Sequence, residues 1–98
     1  MVNQIDGLTL SNTVVQGQGN IVTDMDGEKV MLSVAKGKYF NLGLMGGEIW
    51  ELITTPTSIT DIVSRLLIDY DVEKEVCEQQ VLSFLNQLQS EGLIETNV

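Results

Sequence analysis

The sequence predicts an α+β fold in which three helices pack against a small antiparallel sheet, an arrangement compatible with a winged-helix-like fold. Three observations lead to this prediction. The first half contains short runs rich in β-branched and aromatic residues, separated by glycine-containing turns. The second half carries apolar residues at helical spacing. The 98 residues are 43% hydrophobic, as in an average globular domain, so we expect one domain over residues 1–98.

The predicted strands form an antiparallel meander. Their ranges are 13–16, 20–25, 29–34 and 38–42. Asp26 and Gly27 form a favourable two-residue hairpin turn, because both tolerate the positive φ that such a turn requires. Gly37 can adopt the left-handed conformation that closes the next loop. The strand over 38–42 then has no further strand partner in the sequence.

Three helices follow the strands. Their predicted ranges are about 45–53, 57–70 and 72–90. The first must end before Pro56, and Thr57 or Ser58 can cap the second. Gly92 is of the type favoured just after a helix C-terminus, and it ends the third. The segment after it is expected to run along the surface and to pack Leu93 and Ile94 onto the core. Most methionines and aromatic residues are also expected in the core: Met25, Met31, Met45, Trp50, Tyr70 and Phe84.

The charge of the chain argues against nucleic acid and anionic membrane as partners. The chain has fourteen acidic and five basic residues, which gives a formal charge of −9. Nucleic-acid binding depends on Lys and Arg at the phosphates, and the charged residues of the predicted third helix are glutamates apart from Lys74. A winged-helix DNA-binding regulator therefore stays only as an alternative. The first residues lack a signal-peptide pattern and no apolar run could span a bilayer, so we expect a cytoplasmic protein.

The residues give little support for catalysis or for a cofactor. The chain has no histidine, and Cys77 is its only cysteine, within an apolar helical stripe. A disulfide within the chain and a multi-cysteine metal site are therefore both excluded. A small carboxylate-dependent enzyme remains a second alternative, without a supporting constellation. Gly43, Gly46 and Gly47 suggest a phosphate loop at the start of a helix. The residue after them is Glu48 and not the Lys that such a loop needs, so we interpret the glycines as a turn into the helix.

The predicted last strand, KYFNL, is the most informative segment. Strand alternation sends Tyr39 and Asn41 to one face and Phe40 and Leu42 to the other. Because the strand ends the meander, one of its backbone edges is expected to be unpaired. Two interpretations remain open: the edge is completed by another peptide, or it is blunted by Lys38 and covered by a helix.

An ordered set of segments resembles the PqqD-like family. The segments are DGEKVML (26–32), GKYFNL (37–42), GGEIWEL (46–52), YDV (70–72), VLSFL (81–85) and EGLI (91–94). Within that family the chain is similar to the stand-alone recognition proteins of bacterial lasso-peptide biosynthesis. The resemblance covers about residues 13–95. It departs at Gly43 and Gln80, where family members often have Asn and Asp.

The resemblance implies a RiPP recognition element, a non-catalytic module without a cofactor in the biosynthesis of ribosomally made, modified peptides. In it, a three-stranded antiparallel sheet packs on three helices, and the third strand and third helix form a groove. The leader segment of a precursor peptide binds there as an added strand, so that a transglutaminase-like leader peptidase and an asparagine-synthetase-like cyclase can act on the core segment. On this chain the implied peptide-binding residues are Lys38, Tyr39, Phe40, Asn41, Leu42, Val76, Gln80, Phe84 and Gln87. The acidic surface suits a leader with some basic residues, although apolar anchors should dominate the binding energy.

Overall fold

The computed structural model describes residues 7–97, so residues 1–6 and 98 of the predicted domain lie outside the described residues. The described strands are β1 (Thr13–Gln16), β2 (Asn20–Met25), β3 (Glu28–Ser33), β4 (Lys38–Leu42), β5 (Thr57–Ser58) and β6 (Ile94–Thr96). The helices are α1 (Gly43–Leu52), α2 (Ile59–Asp69) and α3 (Lys74–Ser90). The α+β class with three helices and a three-stranded antiparallel sheet is therefore confirmed.

Strands β2, β3 and β4 form the predicted meander, each antiparallel to the next. Asp26 and Gly27 have φ values of 55° and 87°, as the hairpin turn between β2 and β3 requires. Gly37 has a φ of 64° and lies in the loop before β4. The local turn residues therefore determine how these three strands follow one another.

The prediction that the first strand joins this meander is wrong. β1 is the central strand of a second sheet, in which β5 and β6 lie on its two sides. The Gly17 amide donates to the carbonyl of Leu93, the residue just before β6, at 2.8 Å, so the pairing of the two segments continues past the ends of β1 and β6. A Cβ on Gly17 would lie 2.7 Å from that oxygen, so the close approach requires glycine. The C-terminal segment, expected along the surface, is therefore partly a strand.

The helix ends agree with their capping residues. The Ser58 side chain accepts from the Asp61 amide at 3.1 Å and caps α2, one of the two predicted caps. Gly92 follows α3 with a φ of 74°, as predicted for the end of that helix. Helix α1 begins at Gly43, two residues earlier than predicted, because the φ of 72° at Gly43 turns the chain directly from β4 into the helix.

One hydrophobic core joins both sheets to all three helices. Its most buried large side chains are Met31, Ile49, Ile53, Ile59, Ile62, Leu66, Leu85 and Leu93. Trp50 and Ile94 are buried as predicted, while Met45, Tyr70 and Phe84 pack at the edge of the core. Met25 is 58% exposed, so its predicted core position is wrong; it lies at the end of β2 beside the exposed hairpin turn. Within residues 7–97, no helix is long and apolar enough to cross a membrane.

Candidate functional site

The backbone direction of β4 follows from the register of the meander. The Val34 amide donates to the Gly19 carbonyl at 3.1 Å, so even-numbered residues along β3 direct their backbone groups toward β2. Hydrogen-bonding direction alternates along an antiparallel strand, and odd-numbered residues of β3 therefore face β4. Met31 is one of these, and it lies opposite Phe40. Phe40 consequently directs its own N–H and C=O groups toward β3.

Tyr39 and Asn41 point their backbone groups the other way, by the same alternation. Among residues 7–97 no strand pairs with β4 on that side, since β4 is at the end of the order β2-β3-β4. The N–H and C=O groups of Tyr39 and those of Asn41 thus point away from the sheet. An extended segment placed there could continue the ladder.

Helix α3 faces this edge across a groove of about 300 Å³. The lining residues are Tyr39, Phe40, Asn41, Leu42, Phe84, Gln87 and Leu88. The floor is apolar, with Leu42 and Leu88 buried and the two phenylalanines half-buried. The exposed Tyr39, Asn41 and Gln87 supply polar groups at the rim. An apolar floor with a polar rim is typical of a site that binds side chains by burial and orients them by hydrogen bonds.

Six of the nine site residues implied by the resemblance lie together in this groove, and three do not. Lys38 is exposed at the start of β4, outside the lining residues. Val76 and Gln80 lie on α3, two turns and one turn before Phe84, and both are exposed. The role of all nine in binding stays a prediction. Leu88 also lines the groove, although it is not among the nine residues implied by the resemblance. Its spacing of four residues from Phe84, one turn along the same face, is the signal that could have found it.

Helix α1 supports the floor of the groove from below. The ring of Phe84 lies against Gly46, so closely that a Cβ on this glycine would be 2.7 Å from Phe84 Cε1. The Cβ of Leu42 would lie 3.4 Å from the same position. The position of Phe84 in the groove therefore depends on a glycine that does not itself line the groove.

A second cavity, of about 360 Å³, lies beside the glycines at the start of α1. Lys29 is its only basic lining residue, and Lys29 Nζ is 2.7 Å from an Asp24 oxygen and 2.8 Å from a Glu51 oxygen. These hydrogen bonds, the one to Asp24 first, raise the pKa of Lys29. The Tyr70 hydroxyl donates to Glu48 at 3.0 Å in the same region. Since Lys29 is already paired to two carboxylates, residues 7–97 offer this cavity no free cation for a phosphate, in agreement with the turn interpretation of the glycines.

A family model now connects this geometry with known proteins. The model for coenzyme PQQ synthesis protein D, PqqD, matches residues 28–94, which is more than half of the chain. The chain belongs to the PqqD family. The match runs from β3 to the first residue of β6, so every residue that lines the groove of this PqqD-family chain lies within it.

Solved structures share the fold of this PqqD-family chain. One, of TbiB1 in complex with the TbiA(beta) leader peptide, has a TM-score of 0.74 and 27% sequence identity, covering 83% of this chain and 94% of that one. Another, of lasso peptide synthetase B1 complexed with its leader peptide, has a TM-score of 0.73 and 21% identity, with 84% and 96% coverage. No curated protein matches the chain significantly. The resemblance to PqqD-like recognition elements is confirmed.

Proposed function

We propose that this PqqD-family chain is a recognition module that binds the leader segment of a ribosomally made precursor peptide, of the lasso-peptide type. The observation that carries the proposal is the open edge of β4, facing α3 across an apolar groove. The similar solved structures support it, because TbiB1 and lasso peptide synthetase B1 are both complexed with leader peptides. The leader would bind as an added strand beside β4.

The backbone and the side chains of the site have separate roles in this proposal. The outward N–H and C=O groups of Tyr39 and Asn41 pair with the backbone of the leader, which supplies affinity with little sequence preference. Alternate side chains of the leader then point toward Phe40, Leu42 and Phe84, where apolar groups lose contact with water. Selectivity comes from these inward positions, together with hydrogen bonds at the rim to Gln87.

The proposed module acts by binding and presentation, without catalysis of its own. The leader peptidase and the cyclase, of the transglutaminase-like and asparagine-synthetase-like classes, would act on the core segment while the leader is held. Val76 and Gln80 are exposed on the two turns of α3 before Phe84, where they would contact the part of the leader that extends beyond the groove. The formal charge of −9 favours encounter with a leader that carries basic residues.

The proposal is tested by searching the genes next to the gene for this chain for a short precursor peptide and titrating its fluorescein-labelled synthetic leader into the protein. We expect saturable binding by fluorescence anisotropy, and backbone amide shifts in the NMR spectrum concentrated in β4 and α3. A scrambled peptide of the same composition is the control, because it has the same charge but not the same order of apolar side chains. Equal binding of both peptides, or no binding of the true leader at about 100 μM, would contradict the proposal.

A further inference from the structure

Gly46 lies inside α1, at a position where the backbone does not call for glycine. Its φ is not positive, unlike that of Gly43 at the start of the same helix. Glycine is the poorest helix former apart from proline, and alanine the best. A glycine in a helix interior therefore needs a reason other than backbone conformation, and at Gly46 the reason is space.

The space is occupied by the ring of Phe84. A Cβ on Gly46 would be 2.7 Å from Phe84 Cε1 and 2.8 Å from Phe84 Cζ, whereas carbon atoms in good contact are about 3.5–4.0 Å apart. An alanine at this position would move the end of the ring by about 1 Å. Leu42 and Leu88 are buried beside Phe84, while the groove is open, so the ring would move into the groove.

We propose that Gly46 sets the depth of the groove between β4 and α3. By letting Phe84 lie directly against α1, it leaves room for a large apolar side chain of the added strand, such as Leu, Ile or an aromatic residue. Gly46 does not line the groove, so it is a positioning residue that acts through Phe84. The inference rests on the proposed function and adds to it the size of side chain that the groove accepts.

The neighbouring glycine provides a matched control. Gly47 is in the same helix, and a Cβ there would meet the Lys29 side chain, with Cγ at 3.0 Å and Cδ at 3.1 Å. Neither Gly47 nor Lys29 lines the groove. Gly46→Ala and Gly47→Ala therefore change helix propensity equally, and each crowds one flexible side chain, but only Gly46→Ala reaches the groove.

The experiment measures binding of the same labelled synthetic leader to both variants. We expect Gly46→Ala to bind about tenfold more weakly than the wild type and Gly47→Ala to bind within about twofold of it. Phe84→Leu removes the two ring atoms in the contact, so adding it to Gly46→Ala should restore most of the binding. If the wild type binds the leader and the two alanine variants bind it with equal affinity, the inference is overturned while the proposed function stands.

A second measurement separates depth from general damage. Each apolar residue of the leader is replaced by alanine in turn. The replacement that weakens binding to the wild type most identifies the side chain that points into the groove. Because the groove of Gly46→Ala is shallower, the same replacement should weaken binding to this variant much less. An equal loss in both proteins overturns the inference. Absence of any wild-type binding instead overturns the proposed function, and the inference with it.

If Gly46→Ala does not fold, the double variant Gly46→Ala with Phe84→Leu keeps the proposal testable, since it lacks the crowded atoms. Phe84→Leu alone should deepen the groove. It should therefore bind a leader with an enlarged inward side chain, Leu replaced by Phe, several-fold more tightly than the wild type does. No preference for the enlarged side chain would count against Phe84 as the floor of the groove, and thus against Gly46 as its support.

Discussion

At the scale of single residues, Tyr39 separates binding from stability most clearly. Its side chain is 74% exposed, yet it lines the groove. An exposed aromatic residue contributes little to folding, but it can lose its remaining contact with water when a peptide binds beside it. Phe84 is less suitable for such a separation, because its ring packs against the core as well as facing the groove.

Tyr39→Ala should leave the free energy of unfolding within about 0.5 kcal/mol of the wild type and weaken leader binding about tenfold. Ile68→Ala is the matched control: Ile68 is 78% exposed on α2 and does not line the groove. Urea unfolding and fluorescence anisotropy measure the two quantities. Similar affinities for the two variants would show that Tyr39 is not part of the binding surface.

Residue-level prediction from the sequence works where periodicity is simple. The two-residue period of a strand places Tyr39 and Asn41 on the exposed face and Leu42 on the buried one, as the structure has them. The position along α3 at which β4 crosses it is not encoded in any local pattern. Val76 and Gln80, which the resemblance places in the groove, therefore lie on the same helix one to two turns before the residues that line it, and their role in binding stays a prediction.

At the scale of elements, the direction of the β4 backbone makes proline a sharp probe. The Asn41 N–H faces the open edge, whereas the Phe40 N–H faces β3. Proline has no N–H and is tolerated in a strand only where that group is unpaired. The same substitution at two adjacent positions should therefore have opposite consequences for the sheet.

Asn41→Pro should keep the fold and weaken leader binding at least about tenfold, because it removes a donor of the added ladder. Asn41→Ala is its control, since both lose the 2.9 Å bond from the Gly43 amide to the Asn41 side chain. Phe40→Pro should instead destabilise the sheet by about 2 kcal/mol or more. Circular dichroism and anisotropy report fold and binding. Unchanged affinity in folded Asn41→Pro would mean that the peptide lies elsewhere.

The error over β1 shows the limit of prediction at this scale. Turn residues between neighbouring segments indicate hairpins, and they identified β2, β3 and β4 correctly. The partners of β1 are strands of only two and three residues, at Thr57–Ser58 and Ile94–Thr96. Segments so short have no recognisable alternation of their own. Their pairing depends on where α1, α2 and α3 bring the chain, which local patterns do not contain.

At the scale of the whole molecule, Cys77, Tyr70 and Lys29 each have a raised pKa, so all three affect stability in the same direction at alkaline pH. Burial first, then the charge of Glu78, raises the pKa of Cys77 above its ordinary 9.0. Burial, then the hydrogen bond to Glu48, raises the pKa of Tyr70 above 10.0. The carboxylates of Asp24 and Glu51 raise the pKa of Lys29 above 10.5. The folded chain therefore holds all three protons more tightly than the unfolded chain does.

This difference predicts that stability falls as the pH rises above about 9, since unfolding then releases protons and the unfolded state gains from it. The effect should be absent at neutral pH, where all three groups are protonated in both states. Above pH 9.0 Cys77 contributes first, followed by Tyr70 above 10.0 and Lys29 above 10.5. Urea midpoints at about pH 7, 9 and 10 measure the fall.

Cys77→Ala should be less stable at pH 7 because of the cavity it leaves, but its midpoint should decline less steeply between pH 9 and 10. An identical decline in both proteins would show that the buried thiol does not contribute to it.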